Sequence, residues 1–238
     1  MNARRGWIIA AALLALLLLI ASFPMRLALS LAGAEAAGIS ARAVHGSVWS
    51  GELVDARIGA LSLGTVHARL SPPALLAGRI ELAFVRRDAR LGPLAGRLHG
   101  GDARGLSGLD GAVSLSGGLG MIPVDAIRFE DASARFEAAG RCVAAGGRVR
   151  LSIAARIAGL DLSRGLSGPL ACVDGRVQAV LASQSGMERL TLSFDGGGAW
   201  RARLAIAVDR DPAMAAALAL LGFRPGAGGF VLVTNGRF

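Results

Sequence analysis

No lysine and no tyrosine occurs among the 238 residues, and there are only two cysteines, Cys142 and Cys172. Aromatic side chains make up 5% of the sequence against 53% apolar residues, so a core must be built from Ala, Val, Leu and Ile rather than from large rings. With lysine missing, arginine supplies all the fixed positive charge behind a net +9. The arginines are scattered, adjacent only at Arg4-Arg5 and Arg86-Arg87. Nucleic-acid surfaces gather their charge and interleave aromatics for stacking. Neither feature is present, so the charge points to anionic headgroups or an acidic partner and not to nucleic acid.

The motifs of catalysis are equally scarce. His45, His67 and His99 form no HxxxH or HExxH pair, which leaves a metal without ligands at the usual spacing. There is no CxxC and no GxSxG. The run Gly105-Leu-Ser-Gly108-Leu-Asp-Gly111 has regular glycines but neither GxGxxG nor a GK[ST] ending, and reads as turns and bulges between strands. Glu130-Asp131, and Asp209 with Asp211, stand at expected strand ends and a helix cap. The reading is of a non-catalytic chain with no metal, no cofactor and no small-molecule substrate.

What the sequence does contain begins with one long greasy run. Arg4 and Arg5 precede unbroken apolar residues from Trp7 to Phe23, which as a helix would span about 25 Å, short but of membrane scale. Trp7 and Phe23 stand at its two ends, where rings favour the interface. The flanking arginines place residues 1–6 in the cytoplasm and the rest outside it. A cleaved signal peptide is the alternative, with an apolar stretch of roughly 7–15 residues and a small-x-small site close behind. Here Pro24-Met25-Arg26 occupies that place, and Ala34-Glu35-Ala36 lies too far downstream. The reading is an uncleaved anchor over 7–23.

Residues 24–38 form a linker, with a short amphipathic helix from Arg26 to Ala37 stopped by Gly38. From Ile39 to the end the period changes to two, and 39–238 reads as one β-rich domain. Arg148 to Ile153, Arg189 to Phe194 and Arg201 to Val208 alternate apolar and polar residues, as half-buried strands do. Further strands are expected at Val44–Trp49, Leu53–Ile58, Leu63–Leu70, Arg79–Val85, Gly111–Leu115, Val124–Phe129, Ser133–Ala138, Gly175–Ala182 and Gly229–Thr234. One clear helix, Pro212 to Leu221, has Asp211 as N-cap, proline in its first turn and Gly222 at its stop. Met214, Leu218 and Leu221 share its apolar stripe. Pro73 to Ala77 is a single helical turn.

In an exported domain an even cysteine count reads as a disulfide. Between Cys142 and Cys172 lie a strand, a turn-rich patch from Gly159 to Pro169, and a return that can bring the sulfurs together.

Three stretches together resemble a known family. Gly46-Ser-Val-Trp49-Ser-Gly51, followed by Ile58-Gly59, Leu63-Gly64 and Leu70-Ser-Pro72-Pro-Ala-Leu-Leu-Ala-Gly78-Arg79, resembles the start of the periplasmic part of type II secretion system protein N. Cys142 and Cys172, with Leu166-Ser-Gly-Pro-Leu-Ala before the second, are similar to its cysteine pair. Leu220-Leu-Gly222-Phe223, Gly228-Gly229-Phe230 and Gly236-Arg-Phe238 are similar to its ending. The resemblance implies a single-pass inner-membrane subunit with a periplasmic domain, whose partners are other platform subunits and membrane lipid. A fainter likeness to AsmA-type envelope proteins implies a curved antiparallel sheet with an apolar groove, and with it a lipid-binding alternative. Trp49 is open to two readings: a core ring beside a glycine turn, which the shortage of aromatics favours, or an anchor for a partner bound at an open sheet edge.

Overall fold

The computed structural model describes residues 2–35, 38–88, 90–101, 104–115, 118–153, 164–207, 212–226 and 228–237, with side chains from Gly6 onward. They form four helices, α1 (Asn2–Ala21), α2 (Met25–Leu31), α3 (Pro72–Leu76) and α4 (Pro212–Leu220), and one antiparallel sheet. The strands are β1 (Ile39–Ser40), β2 (Ala43–Ser47), β3 (Ser50–Ile58), β4 (Leu61–Leu70), β5 (Ile80–Asp88), β6 (Gly92–Gly100), β7 (Arg104–Leu115), β8 (Val124–Phe136), β9 (Cys142–Ile153), β10 (Leu166–Val173), β11 (Arg176–Ala182), β12 (Glu188–Phe194), β13 (Ala199–Ile206), β14 (Arg224–Gly226) and β15 (Gly229–Arg237). Each neighbours the next in sequence except at the ends, where β3 carries both β1 and β2, and β15 lies between β13 and β14. The mainly-β expectation holds.

Two departures from a simple meander matter. The β5–β6 hairpin is inserted between β4 and β7, which pair directly at Leu61–Leu115 and Ser62–Ser114. At this fork Arg86 is buried, 1% exposed, and its guanidinium donates to the carbonyl oxygens of Leu63, Leu91, Gly92 and Ala112. Desolvation pulls its pKa down, and the nearby Asp88 carboxylate opposes that pull. The second departure is bulging. Val124–Phe129 and Ser133–Ala138, read as separate strands, are one strand, β8, with a register shift between Glu130 and Ser133. Likewise Gly105 to Gly111 lies inside β7 as bulges and not between strands.

The main core lines the inner face from β6 to β15, with Leu151, Leu166, Leu181, Leu190, Leu204 and Ile206 fully buried. α4 covers it through Leu218 and Met214, whereas Leu221, expected on the same stripe, is 47% exposed because the helix has ended at Leu220. Gly222 takes the left-handed stop, φ 86°. The expected cap Asp211 and the last residue of the expected strand, Val208, lie outside the described residues, as does the Gly159 end of the turn-rich patch. A smaller second core joins Met25, Val48, Leu53, Ala56, Val66 and Ala68.

The helical expectations at the N-terminus need correction. α1 ends at Ala21, two residues before Phe23, where the Ser22 hydroxyl turns back to the Leu18 carbonyl and Pro24 is extended. Gly6 to Ala21 rises about 24 Å at 1.5 Å per residue, and among the described residues no helix is long and apolar enough to cross a membrane. The linker helix is also shorter than read: α2 stops at Leu31, with Gly33 left-handed (φ 67°), and not at Gly38.

Candidate functional site

The place where sequence, packing and chain topology converge is the junction between α1 and the sheet. The two-residue tip Val48-Trp49 joins β2 to β3, with Ser47 opposite Ser50. Backbone groups at that tip face outward for want of strand partners, and unsatisfied buried amides and carbonyls are costly. Here one binds the helix exit and another the end of β4. The Val48 N–H donates to the Phe23 carbonyl at 3.0 Å, and the Val48 carbonyl accepts from the Leu70 N–H at 2.9 Å. Pro24 bridges to Ser47.

Trp49 completes the clamp. Its indole Nε1–H donates to the Ile20 carbonyl at 2.8 Å, one of the last four helical carbonyls, which have no partner inside a helix. The ring packs on the second core together with Phe23. Met25, the first residue of α2, is 3% exposed in the same cluster. Two glycines leave room for this arrangement. Gly46 has φ 81°, and a Cβ there would run into the Ser50 carbonyl oxygen. A Cβ on Gly51 would stand 2.9 Å from the Met25 Cγ. The spacing Gly46…Trp49…Gly51 therefore describes a turn that grips a helix end.

Beyond the clamp, α1 is exposed from Gly6 to Ala21. Trp7 is 80% exposed and Leu17, Leu18 and Leu19 are each 62% exposed. Nothing is described of the side chains of Arg4 and Arg5. The structure thus brings Phe23 and Trp49 together at one end of the helix and leaves Trp7 at the other.

Cys142 and Cys172 form the disulfide, with Cα atoms 5.7 Å apart. The β9–β10 ladder has its last pair at Pro169 and Arg148. Pro169 has no N–H to carry the ladder further, and the disulfide ties the strands beyond that point. The Cys142 N–H also donates to the Gly175 carbonyl at 2.7 Å, holding the β10–β11 turn.

The histidines are dispersed. His67 lies 3.9 Å from the Glu52 carboxylate, and His99 Nε2 lies 2.7 Å from the Ser107 Oγ. Glu81, opposite His99 in the ladder, is engaged by Arg97 at 3.7 Å. Among the described residues no group of three or more His, Cys, Asp or Glu stands close enough to hold a metal. Sequence reading missed the part played by Val48, Met25 and Arg86. For Met25 a signal was present, since a methionine directly after proline at a helix start suits a buried first turn.

The family model described as Type II secretion system (T2SS), protein N matches residues 37–233. No curated protein and no solved structure matches.

Proposed function

The chain belongs to the type II secretion system protein N family, which gives it a role in type II secretion among the other subunits of that system, and from this premise we propose that it is a non-catalytic subunit held at the inner membrane by α1, with the sheet on the periplasmic side. The observation that carries the reading is the contrast at the junction. One end of α1 is gripped by Trp49 and Val48, while among the described residues the apolar flank from Trp7 to Ile20 stands exposed. Burial of apolar surface is worth about 25 cal/mol per Å², so such a flank seeks an apolar phase. Lipid supplies one, with Arg4 and Arg5 on the cytoplasmic side. The clamp then fixes the sheet at a set height and orientation to the bilayer, where it works by protein–protein contact.

Residues 1–6 are in this reading the cytoplasmic tail, the apolar run over 7–23 the anchor, 24–38 the linker, and 39–238 the periplasmic domain. The Cys142–Cys172 disulfide supports an oxidising compartment. A lipid-carrying groove, the alternative, needs a free inner face. That face is filled by Leu218 from α4 and by Leu119, Ile122 and Phe223, which argues against it.

The test is separation of membranes with carbonate extraction, followed by affinity capture of the full chain. Retention in the extracted membrane together with other platform subunits is the expected result. A soluble periplasmic protein whose N-terminus begins near Ala37 would refute the reading.

A further inference from the structure

A row of paired positions leads away from the junction along one end of the sheet. Val48 accepts from Leu70; Leu70 faces Leu82, which faces Leu98, then Leu106, Ala134 and Ala145 in successive strands. The end of α1 and the ends of these strands therefore share a rim.

Two features stand on that rim. The first is α3, which follows Leu70 directly. Leu76 is 92% exposed, Leu75 is 37% exposed and the neighbouring Ile80 is 49% exposed. The second, beside it, is an open hollow of 690 Å³, floored where Gly100, Gly101 and Gly105 carry no side chain and walled by Arg79, Arg104 and Arg135. These three are exposed, and among the described residues none has a carboxylate within ion-pairing distance. The carboxylate in the lining, Glu81, is taken by Arg97. His99 and Ser107, joined at 2.7 Å, add hydrogen-bonding groups to the same wall.

An apolar tip next to unpaired guanidinium groups is the composition of a surface that meets lipid headgroups, with leucine in the acyl boundary and arginine on phosphate. We propose that this rim rests on the bilayer, with Leu75 and Leu76 in the interfacial layer, and that Arg79, Arg104 and Arg135 bind the phosphate of an anionic phospholipid. The site deepens the membrane reading above and rests on it. It gives the sheet a second attachment beside the clamp, so the domain lies against the membrane instead of swinging from α1.

The full chain carrying Leu76→Cys, labelled with the environment-sensitive dye NBD, is reconstituted into vesicles of phosphatidylcholine alone or with a quarter phosphatidylglycerol. The cysteine pair is already oxidised and leaves position 76 as the labelled thiol. NBD emission is expected to rise and shift to the blue with phosphatidylglycerol. Replacing Arg79, Arg104 and Arg135 together by glutamate should abolish that response, and Arg135→Gln alone should weaken it by about fivefold in half-saturating anionic lipid. These three side chains are exposed, and unchanged far-ultraviolet circular dichroism checks that the variants fold. Protein that stays in carbonate-washed vesicles but emits alike in both lipids, or responds to phosphatidylglycerol regardless of the arginines, overturns the headgroup site. Loss of the response on adding inorganic phosphate, beyond what chloride of equal ionic strength causes, assigns the hollow to free phosphate and overturns the lipid. Protein that carbonate strips from both vesicle types overturns the membrane reading itself.

Discussion

Trp49 donates its indole N–H to the Ile20 carbonyl oxygen across 29 positions of chain, at 2.8 Å. The bond ties the last turn of α1 to the tip of the β2–β3 hairpin, so a pull on one is felt by the other. Trp49→Phe keeps the ring in the second core and removes the donor. The expected loss is about 1 kcal/mol, the net worth of one such hydrogen bond, read from urea unfolding of the detergent-solubilised chain. Proteolysis between Ala21 and Arg26 should quicken by more than the global loss explains, since the released segment is the hinge itself. A variant cut no faster than the parent would show that Val48 and Pro24 suffice.

The two glycines of the same turn should differ. Gly46→Ala meets both a left-handed φ of 81° and the Ser50 carbonyl, which is backbone and cannot step aside. It should cost about 1–3 kcal/mol. At Gly51 the nearest atom is the flexible Met25 side chain at 2.9 Å, although the Ser47 carbonyl follows at 3.0 Å. The loss there should be smaller and should shrink further in a Met25→Ala background, because the two sites share the contact. Equal losses in single and double variants would contradict this account.

The alternation of Arg148 to Ile153 or Arg189 to Phe194 was enough to place β9 and β12, because on those strands one face is buried and the other wet. Bulged strands hid themselves. Asp131 adopts φ 46° within β8 and Gly108 φ 56° within β7, so polar or glycine residues that look like breaks are carried along inside a continuous strand. Both ends of β6 are glycine and its second residue is Pro93, which left no alternating run to see. The site was half legible: Trp49 stood out, but a partner 29 residues away that is a backbone carbonyl has no sequence signal. Arg86 was indistinguishable from its neighbour Arg87, because burial of an arginine depends on where four carbonyls happen to point.

Reducing the disulfide, or Cys142→Ser with Cys172→Ser, should lower stability by roughly 3–4 kcal/mol for a loop of this size on the chain-entropy model. The damage should be local first. With the β9–β10 ladder ended at Pro169, amides around Val143 and Val173 should exchange faster while those near Leu151 and Leu166 hold. A uniform loss of protection across both strands would mean that the disulfide supports the whole sheet and not this end alone.

Asp88 shapes the β5–β6 turn by accepting the backbone N–H groups of Arg90 at 2.7 Å and Leu91 at 3.2 Å. Those bonds hold its pKa below the ordinary carboxylate value, with the positive charge of Arg86 and Arg90 helping. A carboxylate with a depressed folded pKa contributes stability above its unfolded value, near 4, and that contribution fades as pH falls through the folded value. Protection factors of the Arg90 and Leu91 amides should therefore drop on going from pH 6 to pH 3. In Asp88→Asn they should be low at both and nearly flat.

Arg86 provides the sharpest contrast between neighbours. Its Nη1 reaches Leu63 at 2.8 Å on β4, its Nη2 reaches Ala112 at 2.5 Å on β7 and Leu91 at 2.9 Å, and its Nε reaches Gly92 at 3.0 Å. One planar cation thus satisfies carbonyls on both sides of the fork that the β5–β6 hairpin opens. Arg86→Met fills similar space but strands those acceptors without donors, and should cost about 3–5 kcal/mol in urea unfolding. Arg86→Lys keeps the charge with three donors on a point-like ammonium and should fall between the two. Arg87→Met, on the exposed side of the same strand, should change stability by less than about 0.5 kcal/mol. In the Arg86 variants the Leu61–Leu115 and Ser62–Ser114 pairs should be the first to lose hydrogen-exchange protection, because the guanidinium holds the carbonyls of Leu63 on β4 and Ala112 on β7 next to them. If those amides stay protected while the molecule as a whole weakens, the guanidinium is filling space and is not holding the fork.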